Sequence, residues 1–168
     1  MPGACPKPGT AMVLSVNATV TSLSADGLKC NLHSSISGDF TFIGLLLRVD
    51  KRVAPTPEAI AAITRLWPLE AGKSARVIRH GDTSDLLWED AYTVGPKQQV
   101  VTKAGTFQAF PIVVEETFLS TSPQAFDGIY TTYISPELGY GVKFTFRIGR
   151  GDPHRAPPDW ELVSVQSP

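Results

Sequence analysis

Y-I-S-P-E-L-G-Y-G-V-K-F, Tyr133 to Phe144, is a turn flanked by two strands. Ser135-Pro136-Glu137-Leu138-Gly139 supplies the turn chemistry. After it, Val142, Phe144, Phe146 and Ile148 alternate with Lys143, Thr145 and Arg147, and Ile129 to Ile134 precedes it. Period-two alternation on both sides of a Pro/Gly turn predicts an antiparallel hairpin. Three further stretches read the same way: L-W-P-L-E-A-G-K-S (Leu66–Ser74), V-V-T-K-A-G-T-F-Q-A-F (Val100–Phe110) and W-E-L-V-S-V (Trp160–Val165).

Working outward, Leu14 to Thr21 alternates as one half-buried strand, and Ala25-Asp26-Gly27 turns it into a partner carrying Leu28, Cys30 and Leu32. Ser37-Gly38-Asp39 turns again into Phe40 to Val49, whose apolar centre predicts burial on both faces. One short helix is expected over 56–67: Thr56 caps it, Pro57 suits its first position, and Ile60, Ile63 and Trp67 line one face before Pro68. Strands are then expected at 75–80, 86–94, 98–102, 106–118, 129–134, 142–148 and 160–165. Pro111 cannot donate to a ladder, which puts it at an edge or a bulge. About ten short strands with turn signals every 8–12 residues or so predict an all-β, mainly antiparallel barrel or strongly curved sandwich. A single domain over 1–168 is expected, with a loosely ordered stub at 1–12 and a soft boundary near 50–56.

Composition narrows the function. The 168 residues are 42% hydrophobic and 18% charged, which suits a globular chain rather than a disordered one. A formal net charge of −1 leaves no electrostatic footprint for nucleic acid. The longest apolar run, Phe42 to Leu47, is too short to cross a bilayer as a helix. Met1-Pro2-Gly3-Ala4-Cys5 lacks a basic and then apolar leader and reads as the start of a trimmed, exported chain, so a periplasmic or secreted location is expected. In that compartment Cys5 and Cys30 are expected to form a disulfide worth roughly 3 kcal/mol. Two free thiols, or a lipidated Cys5, are the alternatives.

No residue set spells a reaction. Two cysteines and three scattered histidines have no metal-ligand spacing, and no cofactor cradle or G-x-S-x-G motif occurs. His80 lies near Asp82, Asp85, Glu89 and Asp90, which as chemistry is a His/carboxylate acid–base pair and as structure a polar hairpin tip in water. Arg150-Gly151-Asp152 spells an adhesion tripeptide that Gly/Asp/Pro loops produce by chance. The aromatics Tyr130, Tyr133, Tyr140, Phe144, Phe146 and Trp160 cluster in the last third, with Trp88 and Tyr92 upstream. They read first as core, and otherwise as an aromatic-lined cleft for an apolar ligand or an envelope partner. The ligand-contact candidates are Tyr130, Tyr133, Tyr140 and Trp160, with no cofactor and no metal. An exported, non-enzymatic binding or envelope-structural module is the expected function. A hydrolase using the His80/Asp82 region is the alternative.

The four quoted segments resemble a loosely defined TapB-like family of exported, β-rich bacterial domains of unknown function. The resemblance rests on W-x-L-x-x-G-K at Trp67–Lys73, A-G-T-F at Ala104–Phe107, Y-x-S-P-E-L-G at Tyr133–Gly139 and the terminal strand at Glu161–Val165. It covers roughly residues 66–165 and implies a β-rich exported fold, with no reaction attached.

Overall fold

The computed structural model describes residues 4–49, 54–80, 87–120, 126–151 and 156–168. Twelve strands form one sheet: β1 (Ala11–Leu14), β2 (Ala18–Asp26), β3 (Lys29–Ser34), β4 (Gly38–Ile43), β5 (Leu47–Val49), β6 (Ser74–His80), β7 (Leu87–Val94), β8 (Gln98–Thr102), β9 (Gly105–Phe118), β10 (Phe126–Ser135), β11 (Tyr140–Gly151) and β12 (Trp160–Gln166). Their spatial order is β5-β4-β3-β2-β1-β12-β11-β10-β9-β7-β6, with β8 paired to β9 off this path, and every pairing is antiparallel. The one helix among the described residues, α1 (Pro57–Thr64), packs on β6 and β4.

The sheet curls but does not close. Its two end strands, β5 and β6, both border a small cleft of about 50 Å³ beside the start of α1, and no backbone pairing joins them among the described residues. A barrel is therefore not formed, and the strongly curved antiparallel sheet is. The shortest pairing along this path is that of β11 with β12, where only Lys143 with Glu161 and Phe144 with Trp160 are in register. Residues of β1, β2, β4 and β5 share one cavity with residues of β6, β7, β10 and β11, and Trp160 of β12 lies beside Phe144 of β11.

Two expected strands are interrupted. Leu14 to Thr21 is not one strand: Ser15–Asn17 forms a tight turn, Asn17 sits at φ 59°, and its N–H donates to the Leu14 carbonyl at 3.1 Å. Asparagine tolerates that left-handed backbone better than most residues, and the alternation concealed it. Phe40 to Val49 likewise breaks at Gly44 and Leu45, with φ of 58° and 61°. Two consecutive positive φ values, closed by a bond from Leu46 N–H to the Ile43 carbonyl at 3.2 Å, make the turn whose twist suits a β-hairpin. Pro111 is in register with Tyr133 of β10. On its other flank lies the break between β7 and β8, where Gly95 N–H donates to the Pro111 carbonyl at 2.8 Å. The proline falls where one neighbour has already left the ladder.

α1 starts where its sequence signals put it but ends at Thr64, short of the Trp67 expected on its face. Thr56 accepts from Ala59 N–H at 3.2 Å, Pro57 opens the helix, and Ala59, Ala62 and Ile63 are buried. Trp67, just beyond it, is also buried and donates its indole N–H to the Gly44 carbonyl at 3.2 Å. The helix is thereby tied to the β4–β5 turn.

Within the N-terminal stretch, expected as a loose stub, Ala4 and Met12 are fully buried, while Lys7 to Gly9 between them are exposed. Cys5 and Cys30 form a disulfide across 5.5 Å between Cα atoms. The carbonyl of Cys5 also abuts Gly139 in the β10–β11 turn, where φ of 68° and the absence of a Cβ are both required. The segment thus bridges β3 and the opposite part of the sheet. Reducing this disulfide is expected to lower the unfolding free energy by roughly 3 kcal/mol, because a loop of 25 residues is released in the unfolded chain. Urea denaturation with and without reductant measures it, with intact mass confirming the redox state.

Candidate cavity between the two faces of the curled sheet

The curl encloses a cavity of about 460 Å³. One wall comes from β1, β2 and the β4–β5 hairpin, through Leu14, Ala18, Val20, Phe40, Phe42 and Leu45. The facing wall comes from β7, β10, β11 and β12, through Tyr92, Tyr130, Phe144, Tyr140 and Trp160. Strand alternation explains the division. On β10 Tyr130 and Thr132 point inward, and on β2 Ala18 and Val20 do. The size lies within the range of small-molecule pockets, and the wall has their composition: mostly apolar and aromatic, with a few fixed polar groups.

The aromatic wall is continuous. Phe144 stacks on Trp160 at 6.0 Å between ring centroids and 9° between planes, Tyr140 stacks on Trp160 at 6.3 Å, and Tyr130 lies 5.9 Å from Phe144. Gly141 makes room for this set, since a Cβ there would come within 3.2 Å of both the Trp160 ring and Thr132. Of the four contact candidates, Tyr130, Tyr140 and Trp160 line the cavity. Tyr133 does not; it stands on the other face of β10, with the Lys143 ammonium 5.9 Å from its ring centroid.

The polar part of the wall is a buried charge cluster that was not read from the sequence. Arg79 of β6 donates Nε–H to Asp90 Oδ2 at 2.8 Å and places Nη2 2.9 Å from Glu116 Oε1. Its guanidinium also lies 4.8 Å from the Trp88 ring centroid. Asp90 and Glu116 are cross-strand neighbours in the β7–β9 register, on the same concave face as Tyr92 and Val114. Burial pushes both carboxyls above their ordinary range, and Arg79 opposes that rise. For Arg79, burial alone would lower the pKa, but the two carboxylates outweigh it and hold the guanidinium charged. Burial also raises the phenols of Tyr92, Tyr130 and Tyr140, so all three are neutral.

The polar hairpin tip expected around His80 does not include Asp90, whose side chain is only 1% exposed. The signal was present, because Asp90 shares one face of its strand with Trp88, Tyr92 and Val94, all of them aromatic or aliphatic. His80 ends β6 and borders the small cleft near α1, exposed to solvent. Glu89 pairs outside with Arg76 at 2.6 Å. Asp82 and Asp85 lie outside the described residues, as does Asp152 of the Arg-Gly-Asp tripeptide, while Arg150 pairs with Asp127 at 3.0 Å. Among the described residues no group of histidines, cysteines and carboxylates could hold a metal, and no helix is long and apolar enough to cross a membrane.

No family model and no curated protein matches this chain, so the TapB-like resemblance stands on its turn and hairpin motifs alone. Two solved structures share its fold over nearly the whole length. One is a candidate exported protein with YmcC-like fold from Bacteroides fragilis, at 10% identity and a TM-score of 0.50, covering 97% of this chain and 98% of that one. The other is a candidate lipoprotein from Parabacteroides distasonis, at 11% identity and a TM-score of 0.55, covering 98% and 99%. At such identities the likeness is one of fold: a curled, open antiparallel sheet of the YmcC-like kind.

Proposed function

We propose that this protein is an exported, non-enzymatic module that binds a small apolar or amphiphilic molecule in the cavity of its curled sheet. The observation that carries the reading is the cavity itself: about 460 Å³ walled by aliphatic and stacked aromatic side chains in the middle of the fold. A purely structural module gains nothing from that space, since filling it with side chains would add burial. Export is supported by the descriptions of both structural neighbours and by the Cys5–Cys30 disulfide, a bond that persists in oxidising compartments.

The test uses the neutral probe N-phenyl-1-naphthylamine, whose emission rises in apolar surroundings. Saturable enhancement is expected with the native protein, accompanied by quenching of Trp160, which lies in the wall. Ala18 is buried and lines the opposite side, so Ala18→Phe fills the space from a rigid strand. It is expected to weaken probe binding more than tenfold, a loss of about 1.4 kcal/mol or more, with unchanged circular dichroism. Undiminished binding in a folded Ala18→Phe protein would place the probe elsewhere and remove the reading. Turnover in an esterase screen that His80→Ala abolishes would favour the hydrolase instead.

A further inference from the structure

We infer that the cavity contains a hydrogen-bond acceptor site at Asp90 Oδ1 that selects amphiphiles ending in a donor, a hydroxyl or an ammonium, over those ending in a carboxylate. This rests on the binding reading above and adds the chemistry of the ligand's polar end.

Asp90 lines the cavity, and its two oxygens are not equivalent. Oδ2 accepts from Arg79 Nε–H at 2.8 Å, whereas Oδ1 is buried and has no hydrogen-bond partner among the described residues. Hydrogen bonding from Arg79 and from the Tyr92 phenol to the Asp90 carboxyl favours its ionised form, while Oδ1 itself has no partner among the described residues. A buried carboxylate oxygen left unpaired is costly, and a donor brought by a ligand removes that cost. Such an atom on the wall of an otherwise apolar cavity marks where the polar end of a guest belongs.

The surrounding charges set the sign of the preference. The groups facing Asp90 are Arg79, Glu116, Tyr92 and Tyr130. Arg79 spends Nε–H on Asp90 and Nη2 on Glu116 and is covered on one side by Trp88, so its positive charge is already shared between two carboxylates before a guest arrives. One cation between two carboxylates leaves an excess of negative charge, which repels a carboxylate head and accommodates a hydroxyl or an ammonium. The apolar tail then lies along Phe144 and Trp160 toward Leu14 and Val20.

The experiment is displacement of N-phenyl-1-naphthylamine from the intact, disulfide-bonded protein by four twelve-carbon probes: 1-dodecanol, dodecylamine, dodecyl methyl ether and dodecanoate. The alcohol and amine are expected to displace the probe at about tenfold lower concentration than the ether or the carboxylate, the scale of one buried hydrogen bond. Asp90→Asn supplies the second arm. Its amide oxygen stays on Arg79, which turns the NH2 group into the position of Oδ1 and converts the acceptor to a donor. The preference is then expected to invert toward dodecanoate. Equal displacement by alcohol and ether in the native protein overturns the acceptor site while leaving the cavity reading intact. The same holds for an unchanged preference in a folded Asp90→Asn protein. Failure of the naphthylamine itself to bind removes both.

Discussion

Trp67→Ala is expected to lower the unfolding free energy by about 3–5 kcal/mol, the range for deleting a large buried aromatic. The reason exceeds lost area. Trp67 is 6% exposed, and its indole sits so close to Gly44 that a Cβ there would come within 2.6 Å of Nε1. The same nitrogen donates to the Gly44 carbonyl at 3.2 Å, at the tip of a hairpin held with positive φ at both Gly44 and Leu45. A left-handed leucine is unfavourable by itself and persists only where its surroundings determine it. Here those surroundings are Trp67 and Ile63, whose methyl group lies beside the indole at 3.1 Å from where a Gly44 Cβ would stand. Leu45 in turn lines the cavity, so the variant is expected to lose affinity for N-phenyl-1-naphthylamine together with stability. Trp67→Phe separates the two contributions, keeping much of the volume and removing the N–H. Urea denaturation reads the stability. A loss near 0.5 kcal/mol, typical of a surface position, would mean that the indole does not hold the turn.

The sheet was legible in the sequence wherever alternation and turn residues agreed. The strands from β6 to β12 fall within a few residues of their expected limits, and α1 begins at Pro57 under its Thr56 cap as its signals required. The two interrupted strands failed for one physical reason. Asn17 and Leu45 adopt left-handed backbone within apolar alternation, and nothing about a leucine announces a positive φ. Closure was not legible either, because whether β5 reaches β6 at the two ends of the strand order depends on long-range placement that no local pattern encodes. The site divides similarly. Tyr130, Tyr140 and Trp160 were singled out as aromatics, but strand parity sends Tyr133 to the opposite face of the strand that carries Tyr130. Arg79, Asp90 and Glu116 come from three strands that are adjacent in space, and no local pattern joins them.

Arg79→Met is expected to cost about 3–5 kcal/mol at neutral pH, the penalty for removing one partner from a buried ionic cluster. It leaves Asp90 and Glu116, cross-strand neighbours with side chains 1% and 10% exposed, facing each other without a cation. The pH dependence follows from the direction of their shifts. In the native protein burial already holds both carboxyls above the ordinary range, against the opposing pull of Arg79. A carboxyl whose folded pKa exceeds its unfolded value of about 4 stabilises the fold fully below that value. The contribution is lost as pH rises through the folded pKa, because the proton is held more tightly in the native state. Without Arg79 both folded values rise further, so the loss continues to higher pH and grows larger. Arg79→Met should therefore lie closest to the native protein near pH 4 and diverge steadily toward pH 7, with unfolding by urea followed across that interval. Adding Glu116→Gln removes the like-charge repulsion and is expected to restore part of the stability at neutral pH while flattening the pH profile. A difference between Arg79→Met and the native protein that is constant from pH 4 to pH 7 would show that the two carboxylates do not ionise against each other, and would take away the negative excess on which the cavity's preference for donor groups depends.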